Sequence, residues 1–285
     1  MIDNKKRFKA NIRMVELEQH SFCNRKCWFC PNQFIDRQKP VEFLDEKVYL
    51  QILKDLAGID YSEIISFSGN CEPFSQKEFL NRVAQARAFV PNVFLMTNTN
   101  TDYLTTETIK TVAANGLNVL KCQLYFNKDE EYTDEAICKK MDLLRKKLPD
   151  IRFVQSIKNQ WYALVGNLII HAYSKDWHKV GHNRCDTPVR QTEIRYRTCC
   201  DPLIYIGVNY AGQVTPCCNI RPDYKPYEKL ILGQMDDKPE TIFNLYQGLI
   251  LPETEYPCKT CMGKDWHPNG KIVYSAILKE LKRGE

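Results

Sequence analysis

Apolar and polar residues alternate from Met14 to Glu18, which predicts a short strand, and the period then lengthens to that of a helix. Behind Asp45, a capping residue, Val48, Ile52, Leu53 and Leu56 share one face up to Gly58. Residues 63–68 read as a second strand, and Phe79, Leu80 and Val83 point inward from the helix that follows. The unit then repeats. A strand over 93–96 leads to a helix over 105–114 closed by Asn115-Gly116, and a strand over 119–126 leads to a helix over 133–148 closed by Pro149. Further strands are predicted at 151–154 and 164–170. Strands alternating with helices imply parallel pairing through right-handed crossovers, an α/β class suited to a complete or partial TIM-like barrel with its chemistry at the carboxyl ends of the strands.

About six strands precede residue 185, where the rhythm breaks. Residues 186–198 show no periodicity; strands are predicted at 203–208 and 213–215, then cysteine pairs and a terminal helix from about Ile272. A boundary therefore falls near 185, dividing a barrel core (1–185) from a smaller unit (186–285).

The 285 residues are 44% hydrophobic and 26% charged, an ordinary globular balance. The net charge of +5 is scattered and weighs against nucleic acid as a partner. The cationic stretch Met1 to Arg13 lacks the apolar run of a secretory signal, and the apolar stretch near 162–170 is broken by Gly166 and Asn167. No membrane segment and a cytoplasmic location are expected. The lysines around Lys5 to Lys9 read as a solvated terminus, and Arg145, Lys146 and Lys147 as a solvated helix end.

Thirteen cysteines change the picture. In a reducing compartment so many thiols indicate metal or redox chemistry rather than disulfides. Cys71, Cys122, Cys138 and Cys185 stand alone and read as small apolar residues or incidental thiols. Cys23, Cys27 and Cys30 share one short loop directly after the first strand, with no fourth ligand at the spacing of a structural zinc site. A 4Fe-4S cluster held by only three cysteines keeps one iron open to an exogenous ligand. Three loosely placed thiols or a partial zinc knuckle is the competing reading.

The run Cys23-Asn24-Arg25-Lys26-Cys27-Trp28-Phe29-Cys30 resembles the signature of the radical S-adenosylmethionine (SAM) superfamily, including the aromatic Phe29 before the third cysteine. The resemblance implies that SAM binds the open iron and is cleaved reductively to a 5'-deoxyadenosyl radical, which takes a hydrogen atom from substrate. It also implies cofactor contacts. Ser68-Gly69-Asn70-Cys71-Glu72-Pro73 resembles the family's Gly-Gly-Glu-Pro segment, with Asn70-Cys71 in place of the second glycine, and leaves Gly69 and Glu72 as candidates. Thr97-Asn98 resembles a Thr-Asn-Gly corner without its glycine, which nominates Asn98. Lys121 and Gln123 stand where the family commonly has a ribose-contacting Ser, and Gln123 is the candidate there.

Cys199, Cys217, Cys258 and Cys261 supply four further thiolates, enough for a 4Fe-4S cluster or a zinc site. Their setting resembles the SPASM and twitch extensions of radical SAM enzymes. The absence of cysteine from 263 to 285 fits the shorter twitch form with one auxiliary cluster. Cys199 is preferred to Cys200 for its spacing to Pro202, and Cys217 to Cys218 for its spacing from Gly212. Arg184, in His182-Asn183-Arg184, resembles the Asn-Arg of the twitch-bearing aminocyclitol dehydrogenase branch and is the candidate substrate contact. A guanidinium with a pKa above about 12 is a poor base, so His171, His178 and His182 are the alternative proton handlers.

The resemblance implies two 4Fe-4S clusters, SAM, and a two-electron oxidation of a small sugar- or cyclitol-like alcohol with the auxiliary cluster as electron acceptor. A donor such as flavodoxin or ferredoxin is the expected partner. Two other readings stand beside it. One is radical modification of a peptide, disfavoured because only about thirteen residues precede the first strand, too few for a leader-binding domain. The other is a non-enzymatic iron-sulfur or zinc protein serving electron transfer or structure, which leaves Gly69, Glu72 and the three-cysteine loop unexplained.

Overall fold

Asp45 accepts hydrogen bonds from the Lys47 and Val48 backbone N–H groups, and the helix that it caps buries Tyr49, Ile52, Leu53 and Leu56. In the computed structural model, residues 3–38, 40–179, 187, 199–248, 258–261 and 270–283 are described. Their elements run α1 (Asn4–Asn11), β1 (Met14–Leu17), α2 (Glu46–Gly58), β2 (Ile64–Ser66), α3 (Glu78–Phe89), β3 (Phe94–Thr99), α4 (Thr106–Ala114), β4 (Val119–Gln123) and α5 (Asp134–Lys147). There follow β5 (Val154–Ile157), β6 (Gln160–Val165), β7 (Leu168–Tyr173), α6 (Asp201–Ile204), β8 (Tyr205–Val208), β9 (Gln213–Thr215), β10 (Gly233–Gln234), α7 (Thr241–Leu245) and α8 (Gly270–Arg283).

All ten strands join one sheet in the order β10-β9-β8-β1-β2-β3-β4-β7-β6-β5. The six from β8 to β7 are parallel, and antiparallel hairpins extend both edges. This is the parallel core of a partial TIM-like barrel. Its sixth parallel strand is β8, from beyond residue 185, paired to β1 in the register Met14↔Tyr205 and Glu16↔Gly207. The stretch 164–170, expected as one strand, is a hairpin: β6 and β7 turn at Gly166, whose φ is 60°, and only β7 runs parallel to β4. The strand expected at 151–154 lies later, at Val154–Ile157, on the exposed antiparallel edge. The strand expected at 203–208 starts instead as the single turn α6. The basic N-terminal run is a helix that keeps its lysines outward and buries Phe8 among Tyr61, Phe243 and Tyr246.

Strand parity separates two faces. Val15, Leu17, Ile65, Leu95, Leu120, Ile170 and Ile206 pack beneath the helices in the main core. Met14, Ile64, Phe94, Val119, Ile169 and Tyr205 face the other way, and Tyr274, Ile277, Leu278 and Leu281 of α8 pack on them, covering the amino end of that face. Further along the same strands the inward positions turn polar: Glu16, Ser66 and Ser68, Asn98, Lys121 and Gln123.

His171 sits at the join of the two zones. Its Nδ1 is 2.9 Å from the Tyr274 hydroxyl and its Nε2 is 3.0 Å from Gln160 Oε1. Burial and the charges of Lys121 and Lys175 push its pKa down to about 3. The folded chain therefore holds a neutral imidazole, whose contribution to stability is complete above the usual value of 6.5 and is lost as pH falls toward 3. His171→Gln is expected to flatten the fall in unfolding free energy between about pH 6.5 and 4.5, by up to about 1.4 kcal/mol per pH unit. Urea titrations of both proteins across that range check it, and identical slopes would refute it.

Candidate active site

The loop after β1 is held from several sides. Cys30 N–H donates to Cys27 O at 2.9 Å and Cys23 N–H to Arg37 O at 3.0 Å, so the three thiols ride on a closed turn. Arg25 makes a bidentate pair with Asp102, which lies just past β3, at 2.7 and 2.5 Å. Asn24 donates to the same carboxylate at 2.7 Å and accepts from Asn100 Nδ2 at 2.9 Å. Phe29 stacks on Trp177 with 4.1 Å between ring centroids and a 5° interplanar angle, and Tyr125 packs beside it.

This loop roofs a cavity of about 350 Å³ at the carboxyl ends of the parallel strands. Cys23, Cys27, Cys30, Phe29, Gly69, Glu72, Asn98 and Gln123, each singled out from the sequence, all line it. Gly69 has φ +107°, and a Cβ there would stand 2.9 Å from Glu18 Cβ, so a side chain is excluded by both backbone and space. The Glu72 carboxylate is tied to the protein: it accepts from Thr99 Oγ1 and Asn100 N, both at 2.7 Å, and from Phe74 N at 3.3 Å. Burial lifts its pKa to about 7 against those three bonds. Glu72 thus fixes the end of β3 relative to the turn after β2. Asn98 donates to Ser68 Oγ at 2.8 Å, and Ser66 donates to the same oxygen at 2.9 Å.

Lys121 also lines the cavity, with Nζ 5.4 Å from the Tyr274 ring centroid, and burial next to Lys175 lowers its pKa to about 8. Glu16 accepts from the Tyr205 hydroxyl at 2.8 Å on the β1 side. The histidines are elsewhere. His171 is engaged beneath α8, and the exposed His178 donates from Nε2 to Lys128 O at 3.1 Å. Arg184, His182 and Cys185 lie outside the described residues.

The thiols suit a metal cluster in type and placement. Burial and the neighbouring thiolates push Cys23 up to about 11 and Cys27 up to about 12, so these thiols would give up their protons only to a bound metal cation. Among the described residues, no three Cys, His, Asp or Glu side chains gather tightly enough for one metal ion. Farther along, Asn219 N–H donates to Cys217 Sγ at 3.3 Å and Asn219 Nδ2 to Cys261 Sγ at 3.4 Å. Cys258 is also buried, Cys199 is half-buried and Cys200 exposed. Cys218 turns away from its neighbour and lines the first cavity.

Glu16, Ser66, Tyr125, Tyr173, Lys175, Trp177 and Tyr205 line the cavity without having been nominated from the sequence. Glu16 and Ser66 were readable in principle, as polar residues at the inward parity of β1 and β2. Trp177 carries no such signal.

Residues 18–154 match the radical SAM superfamily. The S-adenosyl-L-methionine-dependent 2-deoxy-scyllo-inosamine dehydrogenase of Niallia circulans is 31% identical over 104 residues, which are 36% of this chain and 41% of that protein's length. The fold is similar to two solved structures of BtrN. The complex with AdoMet and 2-DOIA has a TM-score of 0.55 at 19% identity, covering 83% of this chain and 82% of that one. The selenomethionyl protein in an open conformation has a TM-score of 0.57 at 18% identity, covering 88% and 92%.

Proposed function

We propose that the chain is a radical SAM oxidoreductase that oxidises a small sugar- or cyclitol-like alcohol to a ketone. The observation that carries this reading is the convergence of Cys23, Cys27 and Cys30 with Gly69, Asn98 and Gln123 on one cavity at the strand ends. Cys23, Cys27 and Cys30 would hold a 4Fe-4S cluster beside SAM, and Cys199, Cys217, Cys258 and Cys261 a second cluster. When bound, these groups supply a reducing electron, a carbon radical able to take a hydrogen atom, and a sink for a second electron.

The chain's own residues do the rest. Phe29, Trp177 and Tyr125 wall the cavity with aromatic surface that excludes water from a radical. Gly69 keeps backbone accessible to a polar ligand, and Asn98 and Gln123 offer amides to hydroxyls. Lys121, poised near 8, and Glu16 stand on the inner wall as groups able to take the carbinol proton. The similarity to the 2-deoxy-scyllo-inosamine dehydrogenase supports an aminocyclitol as the first substrate to try.

The test is anaerobic reconstitution with iron and sulfide, reduction, and addition of SAM with 2-deoxy-scyllo-inosamine deuterated at all of its carbinol carbons. Release of 5'-deoxyadenosine carrying deuterium, with a ketone product, is the expected result. Deuterium-free 5'-deoxyadenosine and no ketone would remove the aminocyclitol; no 5'-deoxyadenosine at all would remove the radical SAM activity.

A further inference from the structure

Six residues from three loops close a hydrogen-bonded ring beneath the cavity. Glu18 Oε1 accepts from Asn70 N–H at 2.8 Å and from Arg37 Nη1 at 3.1 Å. Arg37 Nη2 reaches Asp223 Oδ2 at 2.8 Å, and Asp223 Oδ1 accepts from Arg221 Nε at 2.5 Å. Arg221 Nη1 donates to Asn32 Oδ1 at 2.6 Å, and Asn32 Nδ2 donates to Asn70 O at 2.8 Å, which completes the circuit. Glu18, Asn32, Arg37 and Arg221 are each no more than 4% exposed.

The ring engages both backbone polar groups of Asn70, the residue after Gly69. That turn has no strand ladder to hold it. Asn32 follows the third cysteine of the first loop by two residues, and Arg221 follows Asn219, which bonds Cys217 and Cys261, by two as well. Two buried arginines balance the buried Glu18 carboxylate and the half-buried one of Asp223. Such a cluster adds little net stability over an apolar packing of the same volume, and its best-attested use is to fix register. Here the register is that of the cofactor-side turn against both cysteine segments.

We infer that Arg221 is a positioning residue that sets the Gly69–Asn70 turn for SAM, and that the second cysteine site bears on SAM binding through it. The inference rests on the radical SAM reading of the cavity. Arg221 acts through Asn32 on one side and through its short tether to Asn219 on the other. Occupation of the second site would then tighten SAM binding at the first, and by linkage SAM would stabilise the second site.

Two measurements on the reconstituted chain test this. One is amide hydrogen exchange of a peptide spanning 68–72 without SAM; the other is SAM affinity by equilibrium dialysis, with iron content recorded alongside. Arg221→Met is expected to speed exchange in that peptide tenfold or more and to weaken SAM binding about tenfold, with the first cluster's iron retained. Arg221→Lys keeps the charge but not the fork and should fall between parent and Met variant. Cys258→Ala/Cys261→Ala should shift both readouts in the same direction. Parent exchange and parent affinity in Arg221→Met would overturn the inference. Should that variant fail to fold, Asn32→Leu cuts the same link from the far side, and parent behaviour there overturns it equally. A parent chain that binds no SAM would defeat the radical SAM reading instead, while the exchange arm still judges the positioning role.

Discussion

Replacing Cys23, Cys27 and Cys30 together with Ala is expected to remove about half of the iron and sulfide and all release of 5'-deoxyadenosine. Two four-iron clusters hold about eight irons per chain, and loss of one leaves about four. The argument rests on the shared cavity: the three thiols border the space that also holds Gly69, Asn98 and Gln123. Burial and mutual repulsion keep Cys23 and Cys27 protonated until a cation arrives, so each lost thiol removes a donor that only a bound metal unmasks. Cys27→Ala alone should abolish cleavage, since three donors leave no redundancy. Cys71 and Cys218 line the same cavity, and they define how the expectation can fail. Cleavage that persists in the triple variant and disappears on removing either of them would move the ligand set. An intact parent that takes up zinc and no sulfide would sink the cluster assignment altogether.

What the sequence revealed follows from how local each signal is. Asp45 caps its helix as expected because a cap is decided by one side chain and the next three amides. The three-cysteine spacing was legible because it lies within eight residues, and Gly69 because Ser68 to Pro73 resembles a known segment; its φ of +107° leaves few alternatives to glycine. The β6–β7 hairpin was not. Trp161, Tyr162 and Ala163 before the turn and Leu168, Ile169 and Ile170 after it are all buried, so the apolar run looks continuous and Gly166-Asn167 reads as an interruption rather than a reversal. The pairing of β8 with β1 joins residues about 190 apart, and no local pattern announces it. The same holds for the stack of Phe29 on Trp177 and for the ring through Arg37 and Arg221. Trp177, Arg37 and Arg221 read as ordinary positions until the barrel brings them to their partners.

Removing Cys258 and Cys261 is expected to cut ketone formation by tenfold or more while 5'-deoxyadenosine release continues at saturating SAM. Loss of one hydrogen atom takes an alcohol only halfway to a ketone. The carbinol radical must still give up a proton and an electron, and without an acceptor it decays to other products or recovers a hydrogen atom. The four-thiol site is where such an acceptor would be held: Cys217 and Cys261 share the Asn219 donor, and Cys261 N–H closes a turn on Cys258 O at 3.2 Å. Two thiols out of four cannot close a 4Fe-4S cluster. Saturating SAM separates this effect from the weaker cofactor binding expected through Arg221. Losing a metal site can also unfold its surroundings, so circular dichroism and retention of about four irons identify the variant fit to be judged. A folded variant that lacks the second cluster and still makes ketone at the parent rate would show that the second electron leaves by another route.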